Sequence, residues 1–220
     1  MSCKMPRPYN IVCFDCDSTL SEIEGIDELA RRNGVGEQVA ELTNIAMDGQ
    51  LSLEAVYERR LALIQPDRAS IEWLARRYIE ELVEGAVEVV RALQDSGRQV
   101  HVISGGIRQA ILPLLARLSI AEEHLHAVEV YFHADGSYRG FDVDSPLARS
   151  GGKAEICRRL SDGADSLVMI GDGQTDLEAK QAGAYFIGFG GVVARPAVRR
   201  QADCFVLEKN LLAVLQHIPA

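Results

Sequence analysis

The sequence lacks the features of an exported or membrane-spanning protein. No uncharged apolar stretch reaches the ~18 residues that a membrane span needs, because the longest candidate, 184–194, is short and contains three glycines. The first ten residues lack the basic segment and the long apolar segment of a signal peptide. We therefore expect a cytoplasmic protein that does not enter a membrane.

Basic residues are outnumbered by acidic ones. Lysine and arginine together number 23 against 32 aspartates and glutamates, which gives a formal net charge of −9 at pH 7. Nucleic acids and anionic membranes bind basic surfaces, so we expect neither as a partner. A small anionic substrate is still compatible with this charge, since one basic pocket can lie inside an acidic surface.

Cysteines are few, and only Cys13 and Cys16 are closely spaced among the five. A zinc site is disfavoured because no second C-x-x-C and no nearby histidine accompany this pair. A redox pair of the thioredoxin type normally opens a helix, whereas these two residues straddle the end of an apolar strand. Residues three apart in a strand point to opposite faces. We expect packed, inert thiols, with a redox pair as the alternative.

Short apolar runs alternate with helical patterns along most of the chain. Strands are predicted at 10–15, 98–104, 166–172 and 184–189, and helices at 85–97, 107–118 and 153–160. This alternation is typical of a parallel sheet covered on both faces. The sequence therefore predicts an α/β fold with a Rossmann-like, doubly wound and mostly parallel sheet.

Two regions interrupt the alternation. Residues 21–84 contain no convincing strand and predict four helices, at 24–32, 36–48, 52–64 and 67–82. We interpret 21–84 as a small helical cap domain, here called the cap segment, inserted after the first strand into a core formed by 1–20 and 85–220. The second interruption, at 128–142, alternates around Asp135-Gly136 and predicts a hairpin.

Polar residues follow the predicted strands where each strand ends. They are Asp15, Asp17, Ser104, Gly105, Asp172 and Asp176. In open α/β sheets ligands bind beyond the carboxyl ends of the strands, so we expect these residues to converge. Carboxylates that converge repel each other unless a cation or a proton intervenes. An oxygen-rich site of this kind suits Mg²⁺, which often shares its ligands with a substrate phosphate.

A phosphate would also need hydrogen-bond donors. Ser104-Gly-Gly lies between a strand and a helix, so its backbone N–H groups can receive an anion. Lys153 follows Ser150-Gly-Gly at the predicted start of another helix. An exposed helix lysine is the ordinary interpretation, but the preceding glycines allow close approach to a ligand, and the carboxylates require positive charge. The glycines, the lysine and the gathered carboxylates together favour a site that binds a phosphate group.

The segments Asp15-Cys-Asp17-Ser-Thr, Ser104-Gly-Gly, Lys153 and Gly171-Asp172-Gly-Gln-Thr-Asp176 resemble the four ordered motifs of the haloacid dehalogenase superfamily of phosphohydrolases. The resemblance covers the whole chain, including the helical insertion. It implies that Asp15 attacks phosphorus and forms an aspartyl-phosphate. Asp17 would protonate the leaving group and later take a proton from water.

The same resemblance implies the roles of the remaining motif residues. Mg²⁺ would be held by Asp15, the main-chain carbonyl of Asp17 and Asp172, and Asp176 would support this site from outside the ligand set. The phosphoryl oxygens would be held by Ser104, the Gly105 amide and Lys153.

Further segments resemble a subgroup of the superfamily whose members hydrolyse O-phospho-L-serine. They begin at Glu24, Arg60, Ile103, Gly140, Ser150 and Ile187. The resemblance implies that Arg60 binds the substrate carboxylate, that Glu24 binds its ammonium group and that Met47 covers the site. Thr175 and Arg195 match positions near the site. Without the resemblance, Arg60 would be read as an exposed helix residue.

Two departures and several alternatives remain open. Cys16 occupies a position that is usually apolar in the superfamily, and Asp48 one that is often glycine, which could alter substrate or metal preference. One alternative is action on another small phosphomonoester, or transfer to an acceptor such as homoserine. Another is a catalytically inactive binding protein, which the presence of both Asp15 and Asp17 disfavours. The oligomeric state is open, with a homodimer as one option.

Overall fold

The computed structural model describes residues 9–47, 53–161 and 167–218, without the side chains of 43–47 and 53. The strands are β1 (Ile11–Phe14), β2 (Gln99–Ile107), β3 (Leu125–Val128), β4 (Val130–Phe132), β5 (Tyr138–Phe141), β6 (Leu167–Gly171), β7 (Tyr185–Phe189) and β8 (Cys204–Val206). The helices are α1 (Gly25–Arg32), α2 (Gly36–Met47), α3 (Leu53–Ile64), α4 (Arg68–Glu80), α5 (Ala86–Asp95), α6 (Arg108–Leu118), α7 (Gly152–Ser161), α8 (Gln174–Leu177) and α9 (Pro196–Gln201). None of the helices described here combines the length and the apolarity that crossing a bilayer requires.

Within the described residues, the main sheet has six parallel strands in the order β3-β2-β1-β6-β7-β8. Strands β2 and β3 lie on one side of β1, in chain order. Strands β6, β7 and β8 lie on its other side, also in chain order. The strand order therefore switches between β1 and β6, and ligands of open α/β sheets bind at such a switch point. The predicted α/β fold with a mostly parallel sheet is confirmed.

The central strands are apolar because both faces of the sheet are covered. Val12 and Phe14 of β1 are fully buried, and so are Met169 and Ile170 of β6. Burying one side chain of this size contributes about 1.5–3 kcal/mol. The carboxyl ends of these two strands therefore lie on a rigid, well-packed layer, which gives the polar residues that follow them a fixed position.

The predicted hairpin forms beside the main sheet. Strands β4 and β5 pair antiparallel, and Gly136 in the connecting turn has φ of +87°, a conformation that glycine adopts without strain. The guanidinium of Arg68 lies over the ring of Phe132, 4.7 Å from the ring centroid. The hairpin thus contacts the first turn of α4.

The cap segment contains the four predicted helices, α1 to α4. Helix α4 begins after Asp67, whose side chain accepts from the N–H of Ser70 at 2.7 Å, a regular N-terminal cap. Helix α4 packs along α6 and buries Leu74 and Tyr78 completely. The cap segment therefore contacts the helices of the sheet region through its last helix.

Three histidines, His101, His124 and His126, form a cluster near the amino ends of β2 and β3. Nδ1 of His101 lies 3.3 Å from Nε2 of His126, and the rings of His101 and His124 lie 4.2 Å apart. His101 is 4% exposed, and its Nε2 has no partner among the described residues. Burial lowers the pKa of His101 to about 4, and its two neighbours add to the effect. Burial, His124, Arg108 and Arg159 lower the pKa of His126.

The depressed pKa of His101 predicts a loss of stability in acid. Stability from the neutral ring is complete above the ordinary value of 6.5 and is lost as the pH falls towards about 4. The loss is at most about 3 kcal/mol. We expect His101→Gln to show a smaller decrease in the free energy of unfolding over this range than the native chain, measured by urea denaturation. Equal decreases in both proteins would contradict the prediction.

Candidate active site

Three carboxylates converge at the switch point of the sheet. Asp15 follows β1, Asp172 follows the adjacent β6, and Asp176 lies in α8. One oxygen from each lies within 4.8 Å of the others, and all three residues are buried. Burial and the charge of Asp15 raise the pKa of Asp172 to about 6 and that of Asp176 well above its ordinary value. Repulsion among hard oxygen donors is what a divalent cation relieves, so these residues fit a metal site.

Lys153 reaches this cluster from the first turn of α7. Its Nζ lies 2.8 Å from Oδ2 of Asp15 and also pairs with Oδ1 of Asp176. Burial opposes the charged amine, but the two carboxylates outweigh burial and raise the pKa of Lys153. The other oxygen of Asp176 accepts from the N–H of Gly173 at 2.9 Å. Both oxygens of Asp176 are thus engaged by protein donors, which is compatible with the expected supporting role.

Asp17 is held by three donors from different parts of the chain. Its Oδ1 accepts from the N–H of Gly25 at 2.6 Å and from the Tyr78 hydroxyl at 2.8 Å. Its Oδ2 accepts from the Ser104 hydroxyl at 3.3 Å. A Cβ added at Gly25 would lie 2.0 Å from the Tyr78 hydroxyl. Glycine at position 25 therefore allows the chain to approach Asp17 closely.

The environment of Asp17 suits proton transfer. Burial raises its pKa to about 7, and the negative charges of Glu24 and Asp15 contribute to the rise. A carboxyl group with a pKa near neutrality can both give and accept a proton at that pH. Asp17 therefore has the environment that a general acid and base requires.

The Ser104-Gly105-Gly106 segment lies in the last part of β2, rather than after the strand as predicted, and directly against Asp17. Ser104 is fully buried, and its Oγ accepts from the N–H of Gly106 at 2.9 Å while donating to Asp17. The carbonyl of Gly105 accepts from the hydroxyl of Tyr57 at 2.9 Å. The Ser104 hydroxyl therefore has protein partners on both sides, whereas Gly105 faces the cavity.

A cavity of about 220 Å³ opens between these strand ends and the cap segment. The strand-end side contributes Asp15, Asp17, Lys153 and Asp172. The other predicted residues that line it are Glu24, Arg60, Gly105, Thr175 and Arg195. The structure thus brings together around one cavity most of the residues singled out from sequence, with Ser104 and Asp176 directly behind its wall.

Arg60 projects into the cavity from α3. One terminal nitrogen pairs with Oδ1 of Asp27. Its Nε is buried and has no partner among the residues that the structure describes. A buried unpaired donor is costly, so this guanidinium fits a planar anion such as a carboxylate, which accepts from two guanidinium nitrogens.

Glu24 lies across the same cavity at the start of α1. Its Oε1 accepts from the Ser18 hydroxyl at 2.9 Å and lies 3.4 Å from Arg195. Arg195 also donates from Nε to Asp172 at 2.8 Å. Burial and the charge of Asp172 raise the pKa of Glu24. Arg195 therefore connects Asp172, in the carboxylate cluster, with Glu24.

Two predicted positions lie outside the description. Met47 ends α2, but its side chain is not among the described ones, and Asp48 lies outside the described residues.

The predicted packed thiols, Cys13 and Cys16, lie among the described residues. Cys13 and Cys16 are fully buried and form no disulfide, and burial raises the pKa of both. This supports packed thiols rather than a redox pair.

Sequence reasoning missed two tyrosines that contact the site. Tyr57 precedes Arg60 by one helical turn, so it shares a helix face with a predicted site residue, and this spacing was a usable signal. Tyr78 donates to Asp17 from 61 residues away. No local pattern in the sequence connects these two positions.

Comparison with known proteins gives consistent results. The phosphoserine phosphatase of Bos taurus is 40% identical over 208 residues, 93% of this chain and 92% of that protein. The phosphoserine phosphatase of Methanocaldococcus jannaschii is 29% identical over 219 residues, 97% of this chain and 100% of that protein.

Two solved structures share the fold over nearly the whole chain. A substrate-bound phosphoserine phosphatase complex has a TM-score of 0.78 at 26% identity, covering 97% of this chain and 100% of that one. A phospho-aspartyl intermediate analogue of phosphoserine phosphatase has a TM-score of 0.75, with the same identity and coverage.

The sequence model for haloacid dehalogenase-like hydrolases matches residues 9–183. Because this match spans most of the chain, the protein belongs to the haloacid dehalogenase-like hydrolase family.

Proposed function

We propose that this chain is a Mg²⁺-dependent phosphoserine phosphatase that hydrolyses O-phospho-L-serine to L-serine and phosphate. The observation that carries the proposal is the arrangement of one cavity. Asp15, Asp17 and Lys153 line its strand-end side, and Arg60 and Glu24 line its cap side. The 40% identity with the bovine phosphoserine phosphatase supports the same substrate.

The first half of the reaction transfers the phosphoryl group to the protein. A carboxylate oxygen of Asp15 attacks phosphorus while the bond from phosphorus to the serine oxygen breaks. Asp17 gives its proton to the departing serine oxygen, which leaves as the hydroxyl of L-serine. Lys153 and the Gly105 amide hold the phosphoryl oxygens as charge is redistributed. In this role Lys153 contributes a fixed positive charge in a buried setting.

The second half hydrolyses the aspartyl-phosphate. Asp17, now ionised, takes a proton from a water molecule, which attacks phosphorus and releases phosphate from Asp15. The same group thus acts first as an acid and then as a base, which its pKa of about 7 supports. Together, the two halves return Asp15 to a free carboxylate and Asp17 to its protonated form.

Mg²⁺ is the proposed cation of the carboxylate cluster. It would be held by Asp15, the main-chain carbonyl of Asp17 and Asp172, with Asp176 as a supporting residue. The supporting observation is the group of buried carboxylate oxygens within 4.8 Å of one another. When bound, the ion would offset their repulsion and the negative charge of the substrate phosphate.

The serine part of the substrate is proposed to bind on the cap side. Arg60 would receive the carboxylate, because its Nε is a buried donor with no partner among the described residues. Glu24 would receive the ammonium group, and Thr175 lines the same cavity. Met47 is proposed to cover the bound substrate.

The division into a core (1–20 and 85–220) and the cap segment is part of the proposal. Substrate entry requires the cap segment to move away from the strand ends, and its return excludes water. Hydrogen exchange in α1 and α3 should slow when substrate binds.

A cytoplasmic location and a homodimer stay predictions, to be checked by cell fractionation and by light scattering.

Activity on a panel of phosphomonoesters tests the substrate assignment. With Mg²⁺ present, we expect L-phosphoserine to exceed phosphothreonine, phosphoethanolamine and a sugar phosphate by orders of magnitude in kcat/KM. Arg60→Ala should lower kcat/KM for L-phosphoserine about 100-fold through loss of a charged hydrogen-bonding partner. The same variant should change kcat/KM for p-nitrophenyl phosphate little, because that substrate has no carboxylate.

Arg59→Ala is the matched control, since Arg59 is the exposed neighbour on α3 and should leave both substrates unaffected. Equal losses with both substrates in Arg60→Ala would mean that Arg60 does not bind the carboxylate. Similar kcat/KM values for all the phosphomonoesters would reject the phosphoserine assignment. They would leave the proposed role of Asp15 as nucleophile unchanged. Adding homoserine and searching for phosphohomoserine separates hydrolysis from transfer.

A further inference from the structure

Tyr57 joins three parts of the chain at the wall of the cavity. It lies on α3 and is 6% exposed. Its ring packs against Phe141 of β5, with centroids 5.3 Å apart, and its hydroxyl donates to the carbonyl of Gly105 at 2.9 Å. A tyrosine hydroxyl keeps its proton at neutral pH, and burial raises the pKa of Tyr57 further, so the hydroxyl acts as a donor.

The carbonyl of Gly105 belongs to a peptide group that is hydrogen-bonded at both ends. At the other end, the N–H of Gly106 donates to Oγ of Ser104 at 2.9 Å. Ser104 in turn donates to Oδ2 of Asp17 at 3.3 Å. Successive hydrogen bonds in a dry interior polarise one another. One peptide group and one hydroxyl therefore connect Tyr57 to Asp17.

We propose that Tyr57 is a positioning residue whose hydroxyl holds the Ser104–Gly106 segment of β2 and thereby orients Asp17 for proton transfer to the leaving group. The inference rests on the proposed function, in which Asp17 is the proton donor, and it extends that role into the cap segment. A Cβ at Gly106 would lie 3.1 Å from both Asp17 Oδ2 and Ser104 Oγ, so this segment of β2 is in close contact with Asp17. Proton transfer is then coupled to the docking of α3.

Tyr57→Phe tests the inference, because it keeps the ring and removes only the donor. Two substrates that carry no serine are compared: ethyl phosphate, whose alkoxide leaving group needs a proton, and p-nitrophenyl phosphate, whose leaving group does not. The ratio kcat/KM reports the steps up to cleavage of the ester bond. We expect Tyr57→Phe to lower kcat/KM about 10-fold for ethyl phosphate and less than about 2-fold for p-nitrophenyl phosphate, since general acid catalysis supports only the poor leaving group.

Two further variants make the result decisive. Phe141→Leu weakens the ring contact and keeps the Tyr57 hydroxyl, so it should lower the melting temperature without changing the ratio between the two substrates. Equal losses on both substrates in Tyr57→Phe, or no loss, would overturn the inference. Asp17→Asn should show the same preference as Tyr57→Phe with a larger loss. Equal losses in Asp17→Asn would instead reject Asp17 as the proton donor, and the inference with it.

Discussion

Asp15→Asn is expected to abolish phosphate release, with a loss of at least ~10⁴-fold in kcat, as for other nucleophile variants. The amide has no charged oxygen with which to attack phosphorus. The fold should persist, because Asn keeps an oxygen for the Cys16 N–H that now donates to Oδ1 at 2.7 Å. It also removes one negative charge from a crowded cluster. Phosphate release and the circular dichroism spectrum together measure the two expectations.

Trapping the phosphorylated protein sharpens this test. The native chain incubated briefly with radiolabelled substrate should incorporate label, and Asp15→Asn should incorporate none. Asp95→Asn makes the same chemical change at the exposed end of α5, and it should match the native chain in both measurements. Label incorporation in Asp15→Asn would mean that another residue is the nucleophile.

The fold was predictable where burial is complete and unpredictable at the edges of the sheet. Strands β1 and β6 have neighbours on both sides, so every residue of β6 is buried and its sequence is a continuous apolar run. Strands β3 and β8 are the two edge strands and were missed. They are short and only partly buried, so they lack the run that identifies a central strand.

The candidate site was predictable to the extent that the fold brings strand ends together. Asp15 and Asp172 follow adjacent parallel strands, so their convergence follows from sheet topology. The hydrogen bonds of Asp17 to Tyr78 and of Tyr57 to Gly105 were not predictable. Each joins a cap-segment helix to a strand end, and the relative placement of these elements depends on packing between surfaces far apart in sequence.

The sequence predicted that the site needs a positive charge, but not how strongly that charge stabilises the protein. The sequence indicates that gathered carboxylates need positive charge, but the strength of that need depends on burial. Lys153 is 6% exposed and pairs with two carboxylates, whereas an exposed lysine with one partner would contribute little. The structure therefore identifies Lys153 as an internal charge whose removal should affect both stability and activity.

Lys153→Met should lower the free energy of unfolding by about 3–5 kcal/mol, because it leaves two buried carboxylates without their compensating charge. Lys180→Met is the matched control. Lys180 pairs with Asp203 at a partly exposed position, where such pairs contribute about 0–1 kcal/mol. Urea denaturation of both variants, without added metal, measures the difference. Similar losses in the two variants would contradict the buried-charge argument.

Activity separates the stabilising role of Lys153 from its chemical role. Phosphate release by Lys153→Met should fall at least ~10²-fold, because a charged donor to the transferring phosphoryl group is lost. Adding Asp176→Asn to Lys153→Met removes one of the uncompensated carboxylates and should recover part of the lost stability. It should not recover activity, because the phosphoryl group still lacks its cation. If activity returned together with stability, Lys153 would be a structural residue and its proposed contact with the substrate would be wrong.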